Sequence, residues 1–217
     1  MNRLKSLLSR ASLMACLMTL LMSACQKKEN KALISTEYGD ITIVLFDSTP
    51  KHRDNFIKLV KEGYYDDLLF HRVIDEFMIQ GGDPDSKNSQ PGARLGIGGP
   101  GYEIDAEIGS PHLYGALAAA RTPNEAKRSS GSQFFIVTGK TQSDAELKVY
   151  EQRKNIKYND EQRRIYEGKG GYPALDMEYT VFGEVVSGMD VVEKIAKLEK
   201  DANDRPLKDV KMKIKMI

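Results

Sequence analysis

Within 208–217 the chain alternates from 210 to 216, with Val210, Met212, Ile214 and Met216 on one side and Lys211, Lys213 and Lys215 on the other. A period of two admits one structure, an extended strand with one face buried and one in water. The lysines also discourage pairing with a foreign edge. Runs of the same kind occur at 32–37 and 41–46, joined by Tyr38-Gly39-Asp40 as a hairpin turn, and again at 131–138 and 179–186. Gly115-Ala116-Leu117-Ala118-Ala119-Ala120 reads as a further strand of small residues, although alanine by itself favours helix. Two amphipathic helices interrupt the strands. One starts at Thr49-Pro50, with a capping hydroxyl and Pro at the first helical position, and runs to about Glu62 before Gly63. The other runs from Ser187 to about Leu198, with Val191, Val192, Ile195 and Leu198 at helical spacing. Many antiparallel strands with two helices on them imply a mainly β barrel or sandwich.

One stretch carries polar groups that this pattern does not require. In Phe70-His71-Arg72-Val73-Ile74 a cation sits among apolar residues, and in Phe77-Met78-Ile79-Gln80-Gly81-Gly82-Asp83 an amide follows three of them. A wet sheet face explains this, and so does an apolar pocket with one cation and one amide projecting into it. In the latter case both groups need partners. Gln133 and Phe135 share a strand face and repeat the theme of Met78 and Gln80. The glycines of the 84–101 stretch form no phosphate-binding signature, because no GxxxxGK[ST] is present and no apolar strand leads into a helix there. That stretch reads as a long irregular surface loop.

Charge is nearly balanced, with 32 Lys and Arg against 31 Asp and Glu, so there is no electrostatic case for nucleic acid. The histidines His52, His71 and His112 have no second ligand spaced to make a metal site, and the two cysteines lack paired zinc spacing. No metal or cofactor is expected. Both cysteines lie near the N-terminus. Arg3, Lys5 and Arg10 precede an uncharged apolar segment, 11–24, that ends in Leu21-Met22-Ser23-Ala24-Cys25. This layout resembles a bacterial lipoprotein signal. The resemblance implies a signal peptide at 1–24, lipidation of Cys25 and a polar tether at 25–31. Cleavage before Cys25 would take the net charge from +1 to −2, since three basic residues leave. The expected location is the bacterial cell envelope, lipid-anchored and periplasmic or outer-membrane associated, with the membrane as a partner through Cys25.

The region 141–170 differs in character, being dense in Lys, Arg, Glu and Gln and free of Pro until 173. Ser143-Asp144-Ala145-Glu146 looks like a capping box, so one or two exposed helices are expected. Tyr150, Ile156, Tyr158, Ile165 and Tyr166 supply only a thin apolar stripe, which implies light docking or a protein partner for 141–169.

Taken together, these segments resemble the cyclophilin family of peptidyl-prolyl cis-trans isomerases. The resemblance rests on the two motifs of 70–83, on Gly131-Ser132-Gln133-Phe134-Phe135-Ile136, and on Asn55-Phe56, Val181-Phe182-Gly183-Glu184-Val185 and Asp204-Arg205-Pro206. It implies a cyclophilin-like domain over 32–217: a closed eight-stranded antiparallel β-barrel with two capping helices, interrupted by the charged helical insertion. By the same resemblance Arg72 is the catalytic arginine and Gln80 the amide that holds it. Phe77, Met78 and Phe135 line a proline pocket, Gln133 supports it and His71 is their neighbour. Ala120 and Arg121 run beside the substrate backbone, and Leu175 and Tyr179 form the far wall. The implied activity is rotation about X-Pro bonds in proline-containing polypeptides, specifically exported or envelope proteins. The alternative is a proline-binding or chaperone-like module with little turnover. Ala174 stands where well-studied members place a cyclosporin-contacting Trp, which implies weak binding of that drug.

Overall fold

A computed structural model describes residues 29–217 of the chain. The expected signal peptide, Cys16 and the expected lipidation site Cys25 lie outside the described residues. Among the described residues ten strands form: β1 (Asn30–Thr36), β2 (Gly39–Leu45), β3 (Phe70–Ile74), β4 (Met78–Gly81), β5 (Glu103–Ile104), β6 (Ala116–Ala119), β7 (Ser129–Ser130), β8 (Phe134–Val137), β9 (Val181–Ser187) and β10 (Lys213–Met216). Four α-helices accompany them among the same residues: α1 (Pro50–Lys61), α2 (Asp144–Lys154), α3 (Asp160–Gly168) and α4 (Met189–Ala196).

Eight of the strands make one antiparallel sheet in the order β10-β1-β2-β9-β6-β8-β4-β3, while β5 and β7 pair apart from it. The sheet curls into a half-barrel. Its edges, β3 and β10, share no ladder of their own. They meet through the first residue of β3 and the residues preceding the two strands: Asp67 and Phe70 donate backbone N–H groups to Met212 and Val210, and Met212 donates to Leu68. The closed ladder expected from the sequence is therefore replaced by a short seam, because 208–212 leaves the strand register before β10 begins. The alternation predicted there still holds, since Val210, Met212 and Ile214 are buried and the intervening lysines are exposed. At the other edge of β10, β1 pairs in register from Ala32 against Met216 to Ser35 against Lys213.

The main core fills the concave face. Ile34, Ile43, Phe70, Ile79, Leu117, Phe134 and Ile136 meet there with Phe56 and Leu59 of α1 and with Val192 and Ile195 of α4. Phe134 packs edge-on against Phe56, Tyr65 and Phe70 at ring-centroid distances of 5.7, 5.8 and 6.2 Å. Thr49 does not cap α1 as its sequence position suggests. Its hydroxyl turns back to donate to the carbonyl of Phe46, leaving the helix start to Pro50.

The insertion forms both expected helices. Ser143 and Glu146 make a reciprocal capping box on α2, and Asn159 and Gln162 make a second on α3. Its docking is firmer than the thin stripe implied: Leu147, Tyr158 and Tyr166 are buried in a cluster of their own, with Leu113, Tyr150 and Ile156 around it. Leu147 is the residue that reading missed; it lies within the charged run of α2.

Candidate active site

The register of four neighbouring strands decides which side chains meet. Arg72 of β3 stands opposite Gln80 of β4, Gln80 opposite Phe135 of β8, and Phe135 opposite Ala118 of β6. A parallel row runs two residues along, from Ile74 to Met78 to Val137. Between the two rows lies Val73-Ile79-Ile136-Leu117, fully buried in the main core. The pleat therefore sends Val73, Ile79, Ile136 and Leu117 inward and Arg72, Gln80, Met78 and Phe135 to the convex face. There a second apolar cluster forms from Met78, Ala116, Ala118, Ala120, Phe135, Val137 and Val181, with Phe77, Tyr172, Leu175 and Tyr179 packed at its margin. Of the two sequence readings of this stretch, the structure has the apolar surface with a cation and an amide beside it.

Phe77 ends the tight turn between β3 and β4, where Glu76 takes a positive φ of 56° and the Phe77 N–H donates to Ile74 O. Its carbonyl accepts from Thr138 and Gly139, and its ring packs on Tyr172 at 4.3 Å. Phe135 meets Tyr179 edge-on at 5.7 Å, and the Arg121 guanidinium lies 4.8 Å over the Tyr179 ring. Arg121 is held there by the backbone carbonyl and the carboxylate of Glu178.

The polar groups form a chain rather than the pair expected. Gln80 Nε2 donates to Gln133 Oε1 at 3.0 Å, and Gln133 Nε2 donates to the carbonyl of Gly98 at 2.7 Å. Gln80 thus braces Gln133, not the guanidinium. Arg72 Nε instead faces Asp204 Oδ2 at 3.6 Å, and neither of its Nη groups donates to any described residue. The Arg72 side chain is 41% exposed, so those donors are open to a bound molecule. Asp204 was legible in sequence only as part of a matching tripeptide, with no role attached.

Asp83 anchors the loop that Gln133 reaches. It is wholly buried and accepts backbone N–H groups from Asp85, Gly96 and Gly98. A Cβ on Gly98 would lie 2.2 Å from Asp83 Oδ1, so only glycine lets this loop close on the carboxylate. Two clefts flank Gln80. One, about 340 Å³, is lined by Gly98, Ala120, Arg121 and Gln133. The other, about 330 Å³, is lined by His71, Arg72, Arg94 and Asp204.

His71 lies at the floor of the second cleft, 4% exposed, with no hydrogen-bond partner for either ring nitrogen. Burial lowers its pKa from 6.5 to about 4, against a smaller opposing pull from Asp83. A folded-state value below the unfolded one means that the unfolded chain binds the extra proton. Stability from this group is therefore full above pH 6.5 and is lost as pH falls towards 4. The whole effect is of order 3 kcal/mol. Burial lowers His52 too and adds with the same sign. Urea unfolding between pH 7 and 4.5 should show a shallower loss for His71→Gln than for the wild type. Parallel curves would mean that the ring is no drier in the fold than out of it.

A second constellation has the residue types of a nucleophile relay: Glu107 Oε2 lies 2.7 Å from His52 Nδ1, and Ser129 Oγ lies 3.0 Å from His52 Nε2. Ser129 is 1% exposed and the adjoining void is only about 10 Å³, so no substrate reaches it. The three residues tie the start of α1 to β7 and to the 103–107 segment. His112 packs elsewhere, against Asp176. The three histidines thus stand apart, and among the described residues no group of three His, Cys, Asp or Glu is placed to hold a metal ion.

Comparison with known proteins bears on the same region. The family model described as cyclophilin type peptidyl-prolyl cis-trans isomerase/CLD matches residues 31–215. A Staphylococcus haemolyticus protein named for peptidyl-prolyl cis-trans isomerase activity is 38% identical over 186 residues, covering 85% of this chain and 89% of the relative. A Staphylococcus aureus protein with the same name is also 38% identical, over 85% of this chain and 90% of its own length. Among solved structures, a Cryptosporidium parvum cyclophilin type peptidyl-prolyl cis-trans isomerase superposes with a TM-score of 0.62 at 26% identity, covering 88% of this chain and 98% of that one. A second crystal structure of the parasite protein, in the presence of the dipeptide Ala-Pro, gives a TM-score of 0.61 at 26% identity over 86% and 98%.

Proposed function

Since the chain belongs to the cyclophilin-type peptidyl-prolyl cis-trans isomerases, we propose that its convex apolar cluster grips a substrate proline while Arg72 stabilises the twisted amide. The chain is an isomerase of proline-containing polypeptides; the assignment of roles to its residues is the proposal. The observation that carries it is the row Arg72-Gln80-Phe135-Ala118, which sets a solvent-open cation at the edge of an apolar face.

Rotation about a peptide C–N bond meets a barrier of about 18–20 kcal/mol because resonance gives it double-bond character. No covalent bond is made or broken. A catalyst needs a hold on the ring and a group that binds better when the amide is twisted. Phe77, Met78 and Phe135 offer the hold, with Leu175 and Tyr179 as the far wall. Loss of resonance in the twisted state makes the prolyl nitrogen an acceptor, and a free Nη donor of Arg72 meets it there. Gln80 and Gln133 keep the floor between the clefts rigid, and Ala120 and Arg121 run along the first of them. The polypeptide on either side of the proline would lie in the two clefts. His71, neutral near pH 7 and facing away from the ring, shapes the second cleft without exchanging protons. Exchange spectroscopy on an X-Pro peptide tests the assignment through wild type and Arg72→Ala. Equal acceleration by both would remove Arg72 from the mechanism, and binding without turnover in the wild type would leave only a proline-binding module.

We also propose that the protein works at the bacterial cell envelope as a lipoprotein, anchored through Cys25 and acting on exported proteins. The support is the sequence pattern before Cys25, and two or more acyl chains would suffice for stable anchoring. Labelled palmitate should enter the wild type and not Cys25→Ala, and the variant should leave the membrane fraction. Equal labelling of both would end the proposal.

A further inference from the structure

The helical insertion is fastened to the site through one buried carboxylate. Asp176 is 1% exposed. Its Oδ2 accepts from the Tyr158 hydroxyl at 2.6 Å and from the Tyr166 hydroxyl at 2.8 Å. Its Oδ1 accepts from the His112 backbone N–H at 2.6 Å and lies 3.0 Å from His112 Nδ1. Its own carbonyl accepts from Lys154 at 2.7 Å. Tyr158, Tyr166 and Lys154 all come from the insertion. A carboxylate removed from water needs such a set of donors, and leaving part of it unmatched is costly. Burial first, and the charge of Asp176 second, push both phenols well above their ordinary value, so they remain donors.

From Asp176 the contacts continue into the convex cluster. The His112 ring stacks on Phe135 at 6.0 Å and 11°, and meets Tyr179 edge-on at 6.2 Å. Asp176 itself sits between Leu175 and Tyr179, in the same irregular segment as Tyr172, which packs on Phe77. The segment 172–179 belongs to no ladder. The bond from Tyr172 N–H to His112 O, the 3-10 turn at Pro173–Leu175 and the side-chain bonds to Asp176 together hold it.

We infer that Asp176 is a positioning residue for the proline pocket: it clamps the α2–α3 insertion onto His112 and the 172–179 wall, and so fixes Phe135, Leu175 and Tyr179. The insertion is then an internal brace, and its thin apolar stripe is used within the chain. This rests on the reading of the convex cluster as the proline pocket.

The test compares Asp176→Asn and the double variant Tyr158→Phe/Tyr166→Phe with the wild type. Two quantities are read: KM and kcat for an X-Pro peptide, and the dissociation constant of the dipeptide Ala-Pro by NMR titration. Asp176→Asn should raise KM and the dipeptide constant about tenfold, with kcat within about threefold. The double variant, which keeps both rings, should raise them about threefold. Arg72→Ala should behave oppositely, losing kcat at nearly unchanged dipeptide affinity. Wild-type affinity in both clamp variants, with only the melting temperature lowered, would overturn the inference. Should Asp176→Asn fail to fold, the double variant decides alone. A wild type that turns over the peptide yet shows no contact of the dipeptide with Phe135 or Tyr179 would overturn the pocket reading, and the clamp with it.

Discussion

Replacing Arg72 by alanine should lower kcat/KM for an X-Pro peptide about a hundredfold to a thousandfold, the range lost when one preorganised transition-state donor is removed. The loss should fall on kcat. A planar X-Pro amide leaves its nitrogen unable to accept a hydrogen bond, so the guanidinium contributes little to ground-state affinity. Arg72→Lys should recover only part of the rate. A point charge on a flexible stem keeps the cation but not the planar fork, of which Nε faces Asp204 while neither Nη donates to a described residue. The variant should melt near the wild-type temperature, because the side chain is 41% exposed and its ion pair spans 3.6 Å. A large fall in melting temperature together with unchanged kcat would show that Arg72 is structural.

The second large effect separates two adjacent phenylalanines. Phe134→Ala should cost about 3–5 kcal/mol of stability, the usual range for a fully buried aromatic. For a chain of this size that is a melting-temperature loss of roughly 10 °C. Phe134 is 1% exposed and meets three other rings in the concave core. Phe135→Ala, one residue on and on the opposite face, should also lose stability, since its ring is only 5% exposed, and should in addition raise KM, since that ring borders Met78 and Tyr179. Both variants should therefore melt lower, while only Phe135→Ala should raise KM. Equal KM for Phe135→Ala and wild type would take the ring out of the substrate site.

How much of this was readable beforehand depends on the period of the pattern. The alternation at 210–216 and the face shared by Gln133 and Phe135 are local, and the structure keeps both. The capping box at Ser143 is also local and is present. Other features depend on residues far apart in sequence. That Gln80 reaches Gln133 and not Arg72 follows from the β4–β8 register, which a strand pattern does not specify. The firmness of the insertion turns on Asp176, whose partners come from His112 and from Tyr158 and Tyr166 of the insertion and which has no periodicity to betray it. Thr49 had the right residue type for a cap, yet its hydroxyl found the carbonyl of Phe46. Side-chain partners, more than elements, were what the sequence concealed.

The pairing of β1 with β10 bears on how the chain reaches its fold. Ala32 opposite Met216 and the bond from Ile217 N–H to Lys31 O join positions separated by nearly the whole described chain. During synthesis β1 waits with one edge unpaired until β10 emerges, and this closure carries the largest loop entropy among the described strand pairings. Loss of β10 would therefore strand the first strand as well. Until β1 and β10 have met, the free β1 edge is open to edge-on association with another chain.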